Sequence, residues 1–522
     1  MIQQRNKEDV LYSIKLWIGR ILIIACICET IFFFSPENLY GCITLLYGWF
    51  LISGLCIKRE YLEQYLLPTL VMFGLGICYS FLPIVITLLE GKPLTFNFQV
   101  PYLTFTNQII SVSVITLAYR WAIHVYKPKN ILNTLWNKIG YMAVPNEKGI
   151  WVMGGIGLGA LLYIMAGQGE ESEYQATGNT LSIIIRTFSS LSIVPICLYF
   201  KHLYGDNTPA KSKRFVKYYI VVLMLLGIAT TRRMLIFNSI VTIACIYLFL
   251  LIYNNQKIFT AKKTLLICVI AYLVVGPFAD LAAAMILNRQ LVGSESSGNT
   301  FIKVWNLYQD KETLHKAYSL YMASSDNAGD NSISWSEYYV DNIFLDRFCN
   351  LRTIDATLYN AKKYGFTSQD GKEYYENFWI NELPSFITNT LGLEKDFYGT
   401  ATDHIVGKNY GNRYADYGFK VGGETGIGLW MFGYWYYLVA LITYFVMFYF
   451  LCSFVNTRNG ILQISIPILI SFRLYWMFFL NANGIFSSMG YVFTRGNLNK
   501  IIIYCILIFI IQKLSLIKAK RI

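Results

Sequence analysis

The sequence predicts an all-α polytopic integral membrane protein with about 12 transmembrane helices and one large, partly helical extracytoplasmic loop. Of its 522 residues, 55% are hydrophobic and only 14% are charged. Ordinary soluble domains carry about 25% charged residues, so a chain this poor in charge is not expected to be a soluble multi-domain protein. In addition, apolar stretches of about 20 residues, the length that crosses a bilayer, recur along the chain.

These apolar stretches define the predicted spans in order. They lie at 16–34, 40–57, 65–89, 106–126, 149–166, 182–201, 217–231, 234–253, 264–288, 425–455, 461–480 and 500–515. The first follows several basic residues and is not followed by a small-residue cleavage site, which favours a retained helix over a signal peptide. The chain therefore divides into a membrane domain at 1–288 with about nine helices, a loop at 289–424, and a membrane domain at 425–522 with about three helices.

The seventh and eighth spans are separated only by Arg232 and Arg233. We interpret this pair as a tight hairpin between two helices. The alternative is one long helix with two arginines in the middle of the membrane, where each would cost about 2.5–3.5 kcal/mol on insertion scales.

The distribution of positive charge predicts the orientation. With the N-terminus inside, the inner segments hold 22 lysines and arginines, whereas the short outer segments hold five: Lys92, Arg232, Arg233, Arg495 and Lys500. Cytoplasmic segments are enriched in such residues. We therefore predict a multi-pass membrane protein with both termini in the cytoplasm.

The long outer segment at 289–424 is polar and carries 18 acidic against 13 basic residues. Within it, Phe344, Phe348, Leu351, Ile354 and Leu358 recur at spacings of three and four, which predicts a helix over 338–364 that ends at Gly365. A disordered linker is the alternative, but the aromatic content argues against it.

Several functional classes are disfavoured by the sequence. The net charge of +13 comes from residues scattered over short segments, so no nucleic acid partner is expected. Ten of the 11 cysteines lie in apolar stretches, where they act as small hydrophobic residues. The chain has four histidines and no CxxC, HExxH, GxSxG or P-loop pattern. We therefore expect neither a metal site nor a cofactor.

The candidate functional residues are arginines that lie near the outer face, from which positive charge is otherwise largely excluded. Arg186, Arg232, Arg233, Arg473 and Arg495 are all predicted near the outer leaflet, with Arg186 and Arg473 inside spans. An ionisable residue inside a span is a functional hypothesis by default, and arginine holds phosphate groups through two parallel hydrogen bonds. There are two alternatives to a functional role for these arginines. They can extend to the headgroups of the lipid bilayer, or they can pair with carboxylates of the loop.

Three segments resemble a known family. Ile-Ala-Thr-Thr-Arg-Arg-Met-Leu-Ile-Phe at 228–237 resembles the helix–turn–helix of Wzy-type O-antigen and capsular polysaccharide polymerases, which are related to O-antigen ligases. Tyr-Ala-Asp-Tyr-Gly-Phe at 414–419 and Glu-Thr-Gly-Ile-Gly-Leu-Trp-Met-Phe-Gly at 424–433 are similar to the family's return from loop to helix. The usual Gly-Ser-Arg is here Thr-Thr-Arg-Arg, so the counterpart arginine is left open between Arg232 and Arg233.

The resemblance implies metal-independent glycosyl transfer between undecaprenyl-diphosphate-linked oligosaccharides, with a chain-length-regulating co-polymerase as a partner. The arginines at 186, 232, 233, 473 and 495 would bind the diphosphate, whose charge grows in the transition state. His404 is the first candidate for the base, and Asp416 and Glu424 are the second. The acceptor would be bound by Arg347, Arg352 and Arg413, although Arg352 can instead pair with Asp355 three residues along a helix.

Three other functions are alternatives to a polymerase, and the sequence disfavours one of them. A flippase or other transporter for lipid-linked oligosaccharides would fit 12 spans, but its charges are expected across the bilayer depth rather than near one face. An O-antigen-ligase-like glycosyltransferase would share the arginine chemistry and differ in its acceptor. A metal-dependent lipid-linked glycosyltransferase is disfavoured, because the first outer loop offers only Glu37 as a ligand.

Overall fold

The computed structural model describes most of the chain and is predominantly α-helical. The described residues are 9–127, 131–167, 185, 187–229, 233–256, 260, 265, 269, 272–273, 275–291, 297–326, 338–346, 348–383, 385–394, 400–407, 422–458, 461–481, 484–490 and 497–519.

In the first half of the described chain, all of the regular secondary structure is helical. The helices are α1 Val10–Phe32, α2 Pro36–Leu55, α3 Arg59–Gln64, α4 Leu66–Leu89, α5 Pro101–Val125, α6 Ile131–Lys138, α7 Glu147–Gly167, the 3-10 helix α8 Ser190–Tyr204, α9 Lys213–Ala229 and α10 Arg233–Tyr253. Helices α9 and α10 pack against each other. The predicted hairpin requires this packing, whereas the two halves of a single long helix could not pack in this way.

The second half contains shorter helices and one hairpin of strands. The helices are α11 Pro277–Leu291, α12 Ser297–Gln309, α13 Lys311–Asp326, α14 Ile343–Asp346, α15 Leu351–Tyr364, α16 Gln369–Glu382, α17 Ser385–Leu391, α18 Ala401–Gly407, α19 Glu424–Phe432, α20 Tyr436–Cys452, α21 Ile466–Ile470, α22 Phe472–Trp476, α23 Ile485–Met489 and α24 Leu498–Ala519. Short 3-10 turns cover Gly433–Trp435 and Phe478–Asn481. Strands β1 Val455–Arg458 and β2 Ile461–Ile464 pair antiparallel, with Val455 opposite Ile464.

Five segments among the described residues are long and apolar enough to cross a membrane. They are Val10–Phe32, Pro36–Leu55, Leu66–Leu89, Pro101–Val125 and Glu424–Cys452. The apolar segments predicted at 16–34, 40–57, 65–89, 106–126 and 425–455 overlap them, with boundaries that differ by at most six residues. The coarse prediction of an α-helical membrane protein is therefore confirmed.

The predicted span at 461–480 is wrong as a single helix. Its first residues form β2, and the remainder is broken into α21, α22 and a 3-10 turn. The break falls at Ser471, whose φ and ψ are −98° and 3°. The described part of the span predicted at 182–201 also differs, because Ser190–Tyr204 is a 3-10 helix that contains Pro195. Proline removes a backbone donor that an α-helix would use.

The segment predicted as an outer loop packs onto the long helices. Tyr339, Ile354, Leu358 and Ile405 belong to the same buried cluster as residues of α1, α2, α4 and α5. The predicted loop helix is confirmed at its end, where Gly365 has a φ of +92°, a value that glycine adopts without strain. Its start is at Leu351 rather than at residue 338.

Candidate functional site

The structure describes some of the predicted site residues and not others. Arg473, Arg352, His404 and Glu424 are described with their side chains, and Arg233 only as the first residue of α10. The remaining predicted residues lie outside the described part of the chain: Arg186, Arg232, Arg347, Arg413, Asp416 and Arg495.

The broken segment from α21 to α23 carries Arg473, on α22. Its position is fixed by Gly74 of α4, where a side-chain carbon would lie 2.1 Å from the carbonyl oxygen of Trp476. Only glycine permits an approach this close. The ring of Phe73 packs edge-on against Trp476, with centroids 5.2 Å apart. The segment is therefore held against α4 despite having no continuous helix of its own.

Arg473 lies on α22 and contacts the helix that begins at Arg233. The Nε of Arg473 donates a hydrogen bond to Oδ1 of Asn238 on α10. Asn238 follows Arg233 by five residues, which is about 7–8 Å along a helix axis. Two of the arginines predicted to bind a diphosphate are thus associated with the same end of α10.

Lys500, at the start of α24, is a second cation in this region. Its Nζ donates to Oγ of Ser471 at the helix break, at 3.1 Å, and the ammonium group interacts electrostatically with Arg473. No carboxylate of the described residues lies within ion-pair distance of Lys500. We call Arg473 and Lys500 the cation pair.

Sequence reasoning did not select Lys500 as a site residue. It appeared only among the five basic residues that the charge distribution places outside. The predicted position of Lys500 on the outer side could have marked it as a candidate. Its link to the site, however, depends on contacts with Ser471 and Arg473, which lie elsewhere in the sequence.

Arg352 makes the ion pair that the sequence offered as an alternative. Its guanidinium lies 3.1 Å from the carboxylate of Asp355, and the two residues are 2% and 0% exposed. Asp355 also accepts hydrogen bonds from the backbone N–H groups of Gln99 and Val100 and from the hydroxyl of Thr104, at 2.6–3.0 Å. Burial raises the pKa of the Asp355 carboxyl, while these bonds oppose the shift. The pair therefore attaches α15 to the start of α5.

Glu424 lies in a buried cluster of tyrosines. The hydroxyls of Tyr436 and Tyr444 each donate to one of its carboxylate oxygens, and the residue is 5% exposed. Tyr79, from the π-helical turn Ile77–Phe81 within α4, is also close to this carboxylate. The glycines that follow Glu424 permit this packing, because a side-chain carbon at Gly428 would lie 2.0 Å from the ring of Tyr436.

His404 lies on α18 and contacts a tyrosine of α16. Its ring meets that of Tyr374 edge-on, with centroids 5.0 Å apart. The adjacent Asp403 accepts hydrogen bonds from the N–H and hydroxyl of Thr400, a cap for the start of α18. Burial lowers the pKa of His404, although the charge of Asp403 partly opposes this. The imidazole is therefore neutral near pH 7 and can accept a proton.

Among the described residues, no three His, Cys, Asp or Glu side chains are grouped so that they could hold a metal ion. No family model matches the chain, and no curated protein or solved structure is significantly similar to it.

Proposed function

We propose that the protein is a polymerase that joins undecaprenyl-diphosphate-linked oligosaccharide repeat units by metal-independent glycosyl transfer on the outer face of the inner membrane. The observation that carries the proposal is the cation pair. Lys500 is partly buried, its described hydrogen-bond acceptor is the neutral Ser471, and its described charged neighbour is Arg473. Charges in such surroundings are normally paired, so this arrangement suits a bound anion.

Diphosphate is an appropriate anion for this site. In the proposed reaction, an acceptor hydroxyl attacks the anomeric carbon, and the bond from that carbon to the diphosphate oxygen breaks. The leaving diphosphate takes the electron pair, so its negative charge grows. Fixed cations that face this charge lower the barrier, because they need no reorganisation during the reaction. Arg473 and Lys500 have this role, and Arg232 or Arg233 would extend it from the start of α10.

We assign the role of base to His404, which is the less buried of the two described candidates. Its lowered pKa leaves the imidazole neutral and able to take the proton of the attacking hydroxyl. Glu424, by contrast, holds a hydrogen bond on each carboxylate oxygen and is nearly inaccessible. We assign Glu424 to the positioning of α19 and α20. Arg352 has a comparable supporting role in the attachment of α15.

Two contacts between distant segments support the sidedness of the proposed topology. The N–H of Val10 donates to Asn255 at 2.8 Å, and both residues belong to the side assigned to the cytoplasm. The N–H of Asn342 donates to Glu90 at 3.0 Å, and both belong to the side assigned to the exterior. The charge distribution then favours the N-terminus inside.

The test is polymer synthesis by purified protein from lipid-linked repeat units. We expect Arg473→Gln and Lys500→Met to lower the rate about 10²–10³-fold, the loss typical of one removed charge-stabilising donor. Lys513→Met, at the exposed far end of the same helix α24, is the matched control and should leave the rate unchanged. Full-length ladders from both site variants would contradict the proposal. Arg232→Ala and Arg233→Ala, tested separately, show which arginine contributes.

A lipid-linked oligosaccharide transporter is the second candidate function. The observation in its favour is the discontinuous segment at Ser471, because broken helices line substrate sites in many transporters. Reconstituted vesicles distinguish the two functions. Movement of the lipid-linked glycan without any new glycosidic bond would indicate a transporter, and transfer to a different acceptor, such as a lipopolysaccharide core, would indicate a ligase.

A further inference from the structure

Helix α1 has one buried face and one exposed face, and an arginine lies on the exposed face. The helix is one of the five segments that are long and apolar enough to cross a membrane. Its buried residues recur at spacings of three and four: Gly19, Leu22, Cys26 and Glu29. Its exposed residues recur in the same way: Trp17, Arg20, Ile24, Ile27 and Ile31. This spacing places each set on one side of the helix.

Lipid is the surrounding that suits this exposed face. Ile24, Ile27 and Ile31 are 59%, 53% and 68% exposed, and a continuous row of such side chains is unfavourable in water. The opposite face is closed by α2, where a side-chain carbon at Gly19 would lie 3.3 Å from the indole nitrogen of Trp49. Arg20 is therefore the charged member of a row that otherwise faces hydrocarbon.

The neighbours of Arg20 place its guanidinium near the membrane surface where α1 begins. Lys15 donates from Nζ to the carbonyl oxygen of Ile57, which is followed by the exposed Lys58. Arg20 lies five residues after Lys15, or about 7.5 Å along a helix, and a long side chain can cover this distance to the headgroups. The guanidinium lies 5.7 Å from the ring of Trp17, so the side chain extends toward the start of the helix.

The aromatic residues beside Arg20 are those typical of a membrane surface. Trp17 is 50% exposed and Tyr12 is 63% exposed, and both residue types are enriched where hydrocarbon meets headgroups. Within the described part of the chain, no carboxylate lies within ion-pair distance of Arg20. A lipid phosphate at this depth is therefore a suitable counter-charge for the guanidinium.

We propose that Arg20 and Trp17 form a binding site for the headgroup of an anionic phospholipid. Arginine binds phosphate through two parallel hydrogen bonds and stays charged when it is partly desolvated. The acyl chains would lie along Ile24 and Ile27. The charge distribution assigns the start of α1 to the cytoplasm, where the leaflet is rich in anionic lipids. This site does not depend on the proposed polymerase function.

The experiment measures phospholipid binding to the full-length purified protein by native mass spectrometry. The probes are phosphatidylglycerol, which is anionic, and phosphatidylcholine, which is zwitterionic. We expect the wild type to prefer phosphatidylglycerol, and Arg20→Gln to weaken that binding about fivefold, the effect of one basic residue near an anionic surface. Arg214→Gln is the matched control. It removes the same charge from another exposed position near the start of a helix, α9, and should leave the affinity nearly unchanged.

Two further variants separate charge from geometry. Arg20→Lys keeps the charge but cannot form two parallel bonds, so its affinity should be intermediate. Trp17→Leu removes the ring that directs the guanidinium and should weaken binding less than Arg20→Gln does.

Thermal unfolding shows whether each variant is folded. Equal binding of phosphatidylglycerol by the wild type and folded Arg20→Gln would overturn the proposal, as would equal affinity of the wild type for the two lipids. Separation of a wild-type oligomer into monomers by Arg20→Gln would also overturn it, because Arg20 would then contact a second copy of the chain.

Discussion

Two regions of this protein hold cations away from bulk solvent, and they do so in opposite ways. Where α15 meets α5, Arg352 is paired with Asp355, whose carboxylate also accepts two backbone N–H groups and a hydroxyl. Where the chain breaks between α21 and α22, Lys500 has a neutral hydroxyl as its described acceptor and Arg473 as its charged neighbour. Arg352 thus has its counter-charge within the protein, whereas the surroundings of Lys500 suit a bound anion.

The difference provides a criterion for separating structural from functional charge. A desolvated charge destabilises the protein unless a partner compensates it. Within the part of the chain described, Lys201 is the matched example of a compensated lysine. Its Nζ lies 2.8 Å from Asp206 and 3.3 Å from Glu147, and the residue is 6% exposed. Structural cations should therefore be required for stability, and the cation pair for activity.

The largest expected effect on stability follows from Asp355→Asn. This change leaves the guanidinium of Arg352 buried without its counter-charge, and breaking a buried pair in this way costs about 3–5 kcal/mol. Chemical denaturation in detergent measures the free energy of unfolding. The double variant Arg352→Met/Asp355→Asn, which removes both charges, should recover part of the loss. A single variant as stable as the wild type would show that the junction is not held by this pair.

An intermediate effect should distinguish the two lysines. Lys201→Met leaves Glu147 and Asp206 facing each other without a cation, so we expect a loss of about 2–3 kcal/mol, less than for a fully buried pair because both carboxylates are partly exposed. Lys500→Met removes a charge that the described protein does not compensate, so the free energy of unfolding should not fall. If both variants lost the same stability, the distinction between the two regions would be wrong.

The smallest effect is a dependence of stability on pH. Burial raises the pKa of Glu147 and of Asp206, but hydrogen bonds outweigh it and hold both below their usual values of 4.5 and 3.8. Groups with lowered folded pKa values stabilise the protein above their unfolded pKa, and this contribution is lost as the pH falls through the folded pKa. Stability should therefore decline below about pH 4.5. Lys201→Met should reduce this decline, since Lys201 donates to both carboxylates. An unchanged pH profile would contradict the assignment.

The helical elements were predictable to the extent that they depend on local sequence. The stretch predicted at 65–89 became Leu66–Leu89, and Gly365 ends the loop helix as expected. The stretch at 461–480 was not predictable in the same way. Its hydropathy is that of a span, but it is broken at Ser471, and the helix that follows packs its Trp476 against Gly74 of α4. Hydropathy reports burial, and it does not report whether a buried segment is a continuous helix.

The sequence suggested candidate residues, but it did not predict most of the contacts that surround them. An arginine inside an apolar stretch identified Arg473, and a spacing of three along a helix suggested the pairing of Arg352 with Asp355. The contacts of Asp355 with Gln99 and Val100, and of Lys500 with Ser471, join residues that no local pattern connects.

The sequence by itself determined that this is a helical membrane protein, because hydropathy over about 20 residues decides whether a segment enters a bilayer. It also identified the charges that violate this preference. Only the tertiary structure decided which groups surround a buried charge, as it does for Arg352 and Asp355. The energy of a desolvated charge depends on the atoms within a few ångströms of it, and in a folded chain those atoms come from residues far apart in the sequence.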